Sequence, residues 1–198
     1  MGAHAATGTA GSAGAAAKPC VIYTDGGCWN NPGPGAWAAL VIDAVEGDGK
    51  VARRLIGGAK DRTTNNQMEI QAAIEALRAT AKTDPGRPVE MYVDSEYLKN
   101  GATTWIKDWK RRGWRTASKQ PVKNQDLWEA LDAAMAGRDI RWNWVRGHVG
   151  HHGNEMCDQL TQMLIQEFVD SGKRRDVTFD YVLKGDEALT PELFARNS

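Results

Sequence analysis

The sequence predicts an α/β fold: a mixed five-stranded sheet, three antiparallel strands then two parallel ones, flanked by helices. Three observations point there. Three short apolar runs, Cys20–Asp25, Trp37–Asp43 and Val51–Gly57, follow one another closely, as in an antiparallel meander. After residue 60, strand-like and helix-like patterns alternate, which implies parallel pairing with right-handed crossovers. An apolar share of 41% across 198 residues is enough for one core.

Taken in order, residues 1–18 are nearly all Ala, Gly, Thr and Ser. They bury too little apolar surface to offset the entropy of ordering and read as disordered. The compact part starts near Pro19, and the second and third strands are joined by the turn-rich Glu46-Gly47-Asp48-Gly49. A helix follows over about 65–81. Thr64 and Gln67 have capping-box spacing, and Ile70, Ala73, Ile74 and Leu77 form its apolar stripe. Glu69 lies beside that stripe with Ala72, Ala73 and Ala76, small neighbours that let the helix approach a sheet closely.

Asp84-Pro85-Gly86 breaks the helix, and Val89–Asp94 is a strand. Ser95 caps a helical, tryptophan-rich, basic region reaching Gly113-Trp114. Gln125–Met135 is a helix, Ile140–Val145 a strand with Trp142 and Trp144 on one face, and Asn154–Phe168 the last main helix. The tail contains Lys173-Arg174-Arg175, a strand-like run Val177–Leu183, and Thr190-Pro191-Glu192 as the start of a short helix. Sites in such sheets form at the carboxyl ends of parallel strands. The pattern alone puts Asp25 and Asp94 there.

Bulk properties narrow the function. The formal net charge is zero. Yet from Trp105 to Asn124, seven cations against one acid give a local +6, leaving −6 elsewhere. A focused basic patch on a neutral chain suits a polyanion. Three widely spaced cysteines form no CxxC pair, so neither a zinc site nor a disulfide framework is indicated, and a reduced intracellular setting fits. No stretch is apolar for long enough to span a membrane. The first residues resemble neither a secretory signal, nor a transit peptide, nor a myristoylation site.

Four acids stand in distinctive settings: Asp25 before Gly26-Gly27, Glu69 in the helix start, Asp94 at a strand end, and Asp158 in the first turn of the last helix. Singly, each reads as a turn residue, a solvated helix acid, a helix starter or a complement to a helix dipole. Together, converging carboxylates suit a hard cation such as Mg²⁺, which takes oxygen ligands.

Tyr23-Thr24-Asp25-Gly26-Gly27-Cys28 with Asn31-Pro32-Gly33-Pro34-Gly35 resembles the opening of type-1 ribonuclease H. So do Thr63-Thr64-Asn65-Asn66-Gln67-Met68-Glu69, the Asp94-Ser95 step, and Gly147-His148-Val149-Gly150-His151 through Asn154-Glu155-Met156-Cys157-Asp158. The resemblance runs in order from about Cys20 to Gln166. It is close to the bacterial form, because Trp105–Trp128 is similar to that form's basic protrusion.

The resemblance implies a ribonuclease H-like fold and a catalytic domain over 19–168, with a C-terminal extension of unknown role over 169–198. It implies an endonuclease that cuts the RNA strand of an RNA/DNA hybrid, leaving 5′-phosphate and 3′-hydroxyl ends. Two Mg²⁺ ions, or Mn²⁺ in their place, would be held by Asp25, Glu69, Asp94 and Asp158. His148 matches a loop histidine that carries a proton or assists product departure. His151 and His152 are ambiguous neighbours, and Glu155 has a supporting role at most.

By the same resemblance, Cys28, Asn31, Asn65 and Asn66 line the substrate groove, and Thr64 with Asn31 grips a phosphate of the DNA strand. Asn65 and Asn66 also suit a turn before a helix. Trp105, Lys110, Arg111, Arg112 and Trp114 form the binding protrusion, although its tryptophans also suit a packing role. Glu96, Gln159 and Thr161 depart from the family's usual Gln, Glu and Ala. The expected protein is a cytoplasmic monomer that removes primers or R-loop RNA and touches no membrane. No hybrid-binding domain is expected before the core, so high processivity is not expected from this chain alone. Two alternatives stay open: a non-catalytic hybrid-binding protein, and a DNA-acting nuclease of the same fold.

Overall fold

The computed structural model describes residues 17–44, 51–147, 150–172 and 177–197. Most of the expected N-terminal disorder, the Glu46–Gly49 turn and the Lys173–Arg175 run fall outside these residues, as does His148. One sheet has the order β5-β4-β1-β2-β3-β6. Its strands are β1 (Cys20–Cys28), β2 (Gly33–Ala44), β3 (Val51–Thr63), β4 (Val89–Val93), β5 (Ile140–Trp144) and β6 (Val177–Leu183). β1, β2 and β3 pair antiparallel, and β4 joins β1 in parallel with β5 beyond it.

The sheet has six strands, not five. β6 pairs antiparallel with β3, from Arg53↔Leu183 to Ala59↔Val177. A strand-like run at the end of a sequence does not by itself declare which edge it joins. β1, β2 and β3 are all longer than their apolar runs; β1 continues to Cys28, so Asp25 lies inside it, just past the end of its parallel pairing with β4. β2 begins at Gly33, four residues before the apolar run Trp37–Asp43. Gly35 is needed there because a Cβ would lie 2.4 Å from Thr63 Cγ2 and 2.6 Å from the Gly27 carbonyl oxygen.

Strand side chains alternate between faces, which builds two cores. Ile22, Ala39, Val41, Ile56, Met91 and Val93 pack against α1 (Asn65–Thr83) and α4 (Gln125–Met135). Ala36, Ala38, Leu40 and Leu55 pack against α5 (His152–Asp170) on the other face. Phe179 and Leu183 of β6, Leu189, and Leu193 and Phe194 of α6 (Pro191–Asn197) complete this second core.

The predicted basic helix is interrupted. α2 (Glu96–Asn100) runs into a π-helical turn, Gly101–Trp105, and then α3 (Ile106–Arg111). The interruption sits where the chain crosses Trp128. A Cβ on Gly101 would lie 2.1 Å from that ring. Ser95 does cap α2, accepting from the Leu98 N–H at 3.2 Å. Among the described residues, no helix is long and apolar enough to cross a membrane.

Candidate active site

β1 and β4 run parallel in register, their last pair being Tyr23 with Tyr92. Asp25 and Asp94 each lie two residues further on, so the register delivers both to the same end of the sheet. Tyr23 and Tyr92 stack beneath them with ring centroids 4.9 Å apart. Glu69 comes from the second turn of α1. Oxygens of Asp25, Glu69 and Asp94 all lie within 4.8 Å of one another.

Gly26 makes this approach possible. A Cβ there would lie 2.3 Å from the Glu69 nitrogen and 2.4 Å from the Met68 carbonyl carbon. Only a residue without a side chain lets α1 rest its backbone on β1. The Gly26 N–H then donates to the Glu69 carboxylate. Despite that bond, the Glu69 carboxyl is held well above the usual glutamate range, first by burial and then by the charges of Asp25 and Asp94. Glu69 is 8% exposed, and its Oε2 has no hydrogen-bond partner among the described residues.

Three crowded carboxyl groups and a buried carboxyl oxygen without a partner among the described residues are a poor arrangement on their own. They suit a hard divalent cation, which would neutralise the repulsion and occupy the orphaned oxygen.

Asp94 is held from several sides. The Trp144 indole donates Nε1–H to its backbone carbonyl at 3.0 Å. Asn154 Nδ2 donates to its Oδ2 at 3.4 Å. Gly147 passes so close that a Cβ there would lie 2.9 Å from that same oxygen. His148, next in sequence, lies outside the described residues.

α5 begins at His152, two residues earlier than expected, and Asp158, its seventh residue, lies in the second turn, not the first. It is not among the three acids whose oxygens lie within 4.8 Å of one another. It does share a helical face with Asn154, four residues before it, and Asn154 touches Asp94. Glu155 accepts from the Gly150 N–H at 3.2 Å, tying the loop to the helix start. His151 is the N-cap residue of α5 and makes no side-chain capping bond. Cys157 is fully buried, its thiol pushed far up by burial and then by the Asp25 charge.

The expected groove residues gather at the start of α1. Asn31 Oδ1 accepts from the Asn65 N–H at 3.3 Å, and Thr64 caps the helix by accepting from the Gln67 N–H at 3.3 Å. Asn65 and Asn66 are exposed. The capping box is half formed. Gln67 turns away from the Thr64 backbone, accepting from Thr63 Oγ1 at 3.1 Å and donating to Asn124 Oδ1 at 3.2 Å. Cys28 donates its thiol proton to the carbonyls of Gly33 and Thr63, at 3.3 and 3.2 Å.

Sequence reasoning missed Asn124, which brings the start of α4 to the start of α1. Its Nδ2 is buried without a partner among the described residues. Before a helix it reads as an ordinary cap, and nothing local signals more.

In the protrusion, Trp105 and Trp109 join Tyr97 and Trp128 in a cluster with centroid separations from 5.2 to 5.8 Å. Trp109 and Trp114 pack against the first core. These contacts give the tryptophans a packing role. The exposed cations crown the cluster. Lys110 pairs with Asp132 at 2.7 Å and Arg111 with Asp108. Arg112 is exposed and has no ion pair among the described residues.

A mixed sheet that brings two carboxylates from just past the end of a parallel strand pairing and a third from a packed helix to one point defines a metal-dependent hydrolase scaffold. The comparisons with known proteins narrow that class. The RNase H family model matches residues 17–166, and the chain belongs to that family. It is 49% identical over 156 residues to ribonuclease H of Rhodopseudomonas palustris (strain HaA2), covering 79% of this chain and 91% of the relative. It is 50% identical over 147 residues to ribonuclease HI of Pseudomonas aeruginosa (strain PAO1), covering 74% and 93%. Among solved structures it is similar to LC9-RNase H1, a type 1 RNase H with the type 2 active-site motif. The TM-score is 0.66 at 31% identity, covering 77% of this chain and 75% of the other.

Proposed function

We propose that this protein is a ribonuclease H that hydrolyses the RNA strand of RNA/DNA hybrids, leaving 5′-phosphate and 3′-hydroxyl ends. The observation that carries the reading is the meeting of Asp25, Glu69 and Asp94 around a buried, unpartnered oxygen, in a chain of this family. In this reading these three acids and Asp158 hold two Mg²⁺ ions, with Mn²⁺ as a substitute. When bound, such ions lower the pKa of an attacking water and neutralise charge at the leaving 3′ oxygen.

The chain's own residues do the rest. Trp144 and Asn154 keep Asp94 in place. His148 takes or returns a proton near the reacting phosphate. Asn31, Thr64, Asn65 and Asn66 present amide and hydroxyl groups along one edge of α1. An amide both donates and accepts, as a 2′-hydroxyl does, which is how RNA is told from DNA. Asn124, by accepting from Gln67, braces the start of α1 that presents these groups. Lys110, Arg111 and Arg112 supply sequence-independent affinity for the backbone. Residues 19–168 form the catalytic domain in this reading. The protein acts as a monomer in a reducing cytoplasm, consistent with three free cysteines.

The test is cleavage of matched RNA/DNA hybrid, duplex DNA and duplex RNA, with and without Mg²⁺. The expected result is metal-dependent cutting of the RNA strand of the hybrid alone. Asp94→Asn should abolish cutting while binding persists. Cutting of duplex DNA assigns the fold to a different nuclease, and cleavage in EDTA sinks the metal mechanism.

A further inference from the structure

The geometry points to Trp144 as a positioning residue that fixes Asp94 for metal binding, acting through the backbone rather than through the substrate. The inference rests on the metal-dependent reading above.

Asp94 occupies a weak point of the fold. β4 ends at Val93, and α2 begins at Glu96. The Val145 N–H donates to the Val93 carbonyl at 2.9 Å, the last main-chain bond along the β4–β5 seam. The Asp94 carbonyl is one residue further, in the two-residue link between strand and helix. There the indole of Trp144 donates to it at 3.0 Å. This side-chain bond continues the seam one step past the end of the sheet. It spans 50 residues of sequence and fastens the Asp94 peptide to β5.

The other end of Asp94 is held independently by Asn154, itself 1% exposed, on α5. Gly147 leaves no room on that side. The acid is thus gripped at its carbonyl and at its carboxylate by different elements. Trp144 is 44% exposed, so its bulk contributes little to either core. A large, exposed indole with its only polar atom committed to an active-site backbone is better explained by aim than by packing. Partners that orient a metal-binding group typically change metal affinity about 10- to 100-fold when removed.

Trp144→Phe keeps an aromatic ring and removes the donor. Binding of Mn²⁺ alone is read by calorimetry on wild type and variant. Cleavage of the hybrid is followed against Mn²⁺ concentration, and melting is recorded in EDTA. The expected result is Mn²⁺ affinity about tenfold weaker, a metal midpoint for kcat raised to match, and KM for the hybrid within about twofold. The EDTA melting temperature should barely move. Should that variant not fold, Trp144→Leu, which also has no side-chain donor, carries the same test. Unchanged Mn²⁺ affinity in a folded variant overturns the inference. So does a rise in KM with metal affinity intact, which assigns the indole to substrate contact. Wild-type protein that binds no Mn²⁺ and cuts no hybrid overturns the functional reading instead.

Discussion

Glu69→Gln should stabilise the metal-free protein while destroying its activity. Glu69 is buried, and its carboxylate shares a site with Asp25 and Asp94, their oxygens within 4.8 Å. At that separation each like-charge contact costs about 3 kcal/mol at an effective dielectric constant near 20. That cost, together with burial, is what pushes the Glu69 carboxyl above the usual glutamate range. Proton uptake sets a ceiling. Between the ordinary glutamate value of 4.5 and pH 7, the cost cannot exceed about 3.4 kcal/mol at 1.36 kcal/mol per pH unit. Glutamine keeps an acceptor for the Gly26 N–H and removes the charge. We expect a gain of about 2 kcal/mol at pH 7, or roughly 4–8 °C in melting temperature for a chain of this size.

The sign with pH follows from linkage. A carboxyl whose folded pKa is raised binds its proton more tightly in the native state, so native stability falls as pH rises through the window. Below pH 4.5 the group is neutral in both folded and unfolded chains, and the two proteins should differ little. The gap should open as pH climbs from there to the raised value and stay constant above it. Melts in EDTA from pH 4 to 9 read this directly, and adding Mg²⁺ should raise wild type more than the variant. A variant less stable than wild type in EDTA at pH 7, or a gap independent of pH, refutes the electrostatic account.

Gly26→Ala places a methyl against the backbone of Met68 and Glu69, so α1 must shift. The melting temperature should fall by several degrees, reflecting about 1–3 kcal/mol of overpacking, and hybrid cleavage should fall with it. Neutralising Lys110, Arg111 and Arg112 together should raise KM far more than it lowers kcat and flatten the log–log salt dependence by about one for each phosphate no longer neutralised. Arg112→Ala alone should account for a large share, because Lys110 and Arg111 already face Asp132 and Asp108. Ending the chain after Gly172 removes five buried apolar side chains, from Phe179 to Phe194. At about 1.5–3 kcal/mol each, their loss rivals the net stability of a typical domain. The truncated protein should melt more than about 10 °C lower or precipitate, and an unchanged melting curve excludes a structural role for the extension.

Asp25 and Asp94 were legible as a pair because strand periodicity and parallel pairing together specify where the pairing of β1 and β4 stops, although β1 itself runs on to Cys28. Glu69 was legible because alanines flank it, and small residues on a helix announce a close approach. Asp158 was not. Its helix begins two residues earlier than the apolar pattern, and only the resemblance linked it to the other acids. Trp144, Asn154 and Asn124 were invisible for a common reason. Their hydrogen bonds join residues 50 to 60 apart in sequence, and no periodicity records a partner at that range. β2 and β3 overran their apolar stretches because their pairing resumes past a bulge, from Gly35↔Lys60 to Gly33↔Thr63, among residues that alone favour turns and solvent.

Gln159 connects the departures from the family pattern to the added strand. It follows Asp158, and its Nε2 donates to the Leu189 carbonyl at 3.2 Å, just before α6. Thr161, fully buried, sends its methyl toward Gly27 of β1. Both positions therefore face neighbours on the flanks of α5 rather than the acids. Arg53 binds the Glu187 carbonyl, and Glu187 in turn accepts from Tyr181 and the Lys184 N–H, so the segment around α6 is tied to β3 and β6 as well as to α5. The family match ends at residue 166, yet the second core that seats α5 is finished by residues 179–194. α5 is also the helix that carries Asn154 to Asp94 and holds Asp158. In this chain the position of those side chains consequently depends on a segment outside the family pattern. Gln159 makes sense as the residue that couples the two.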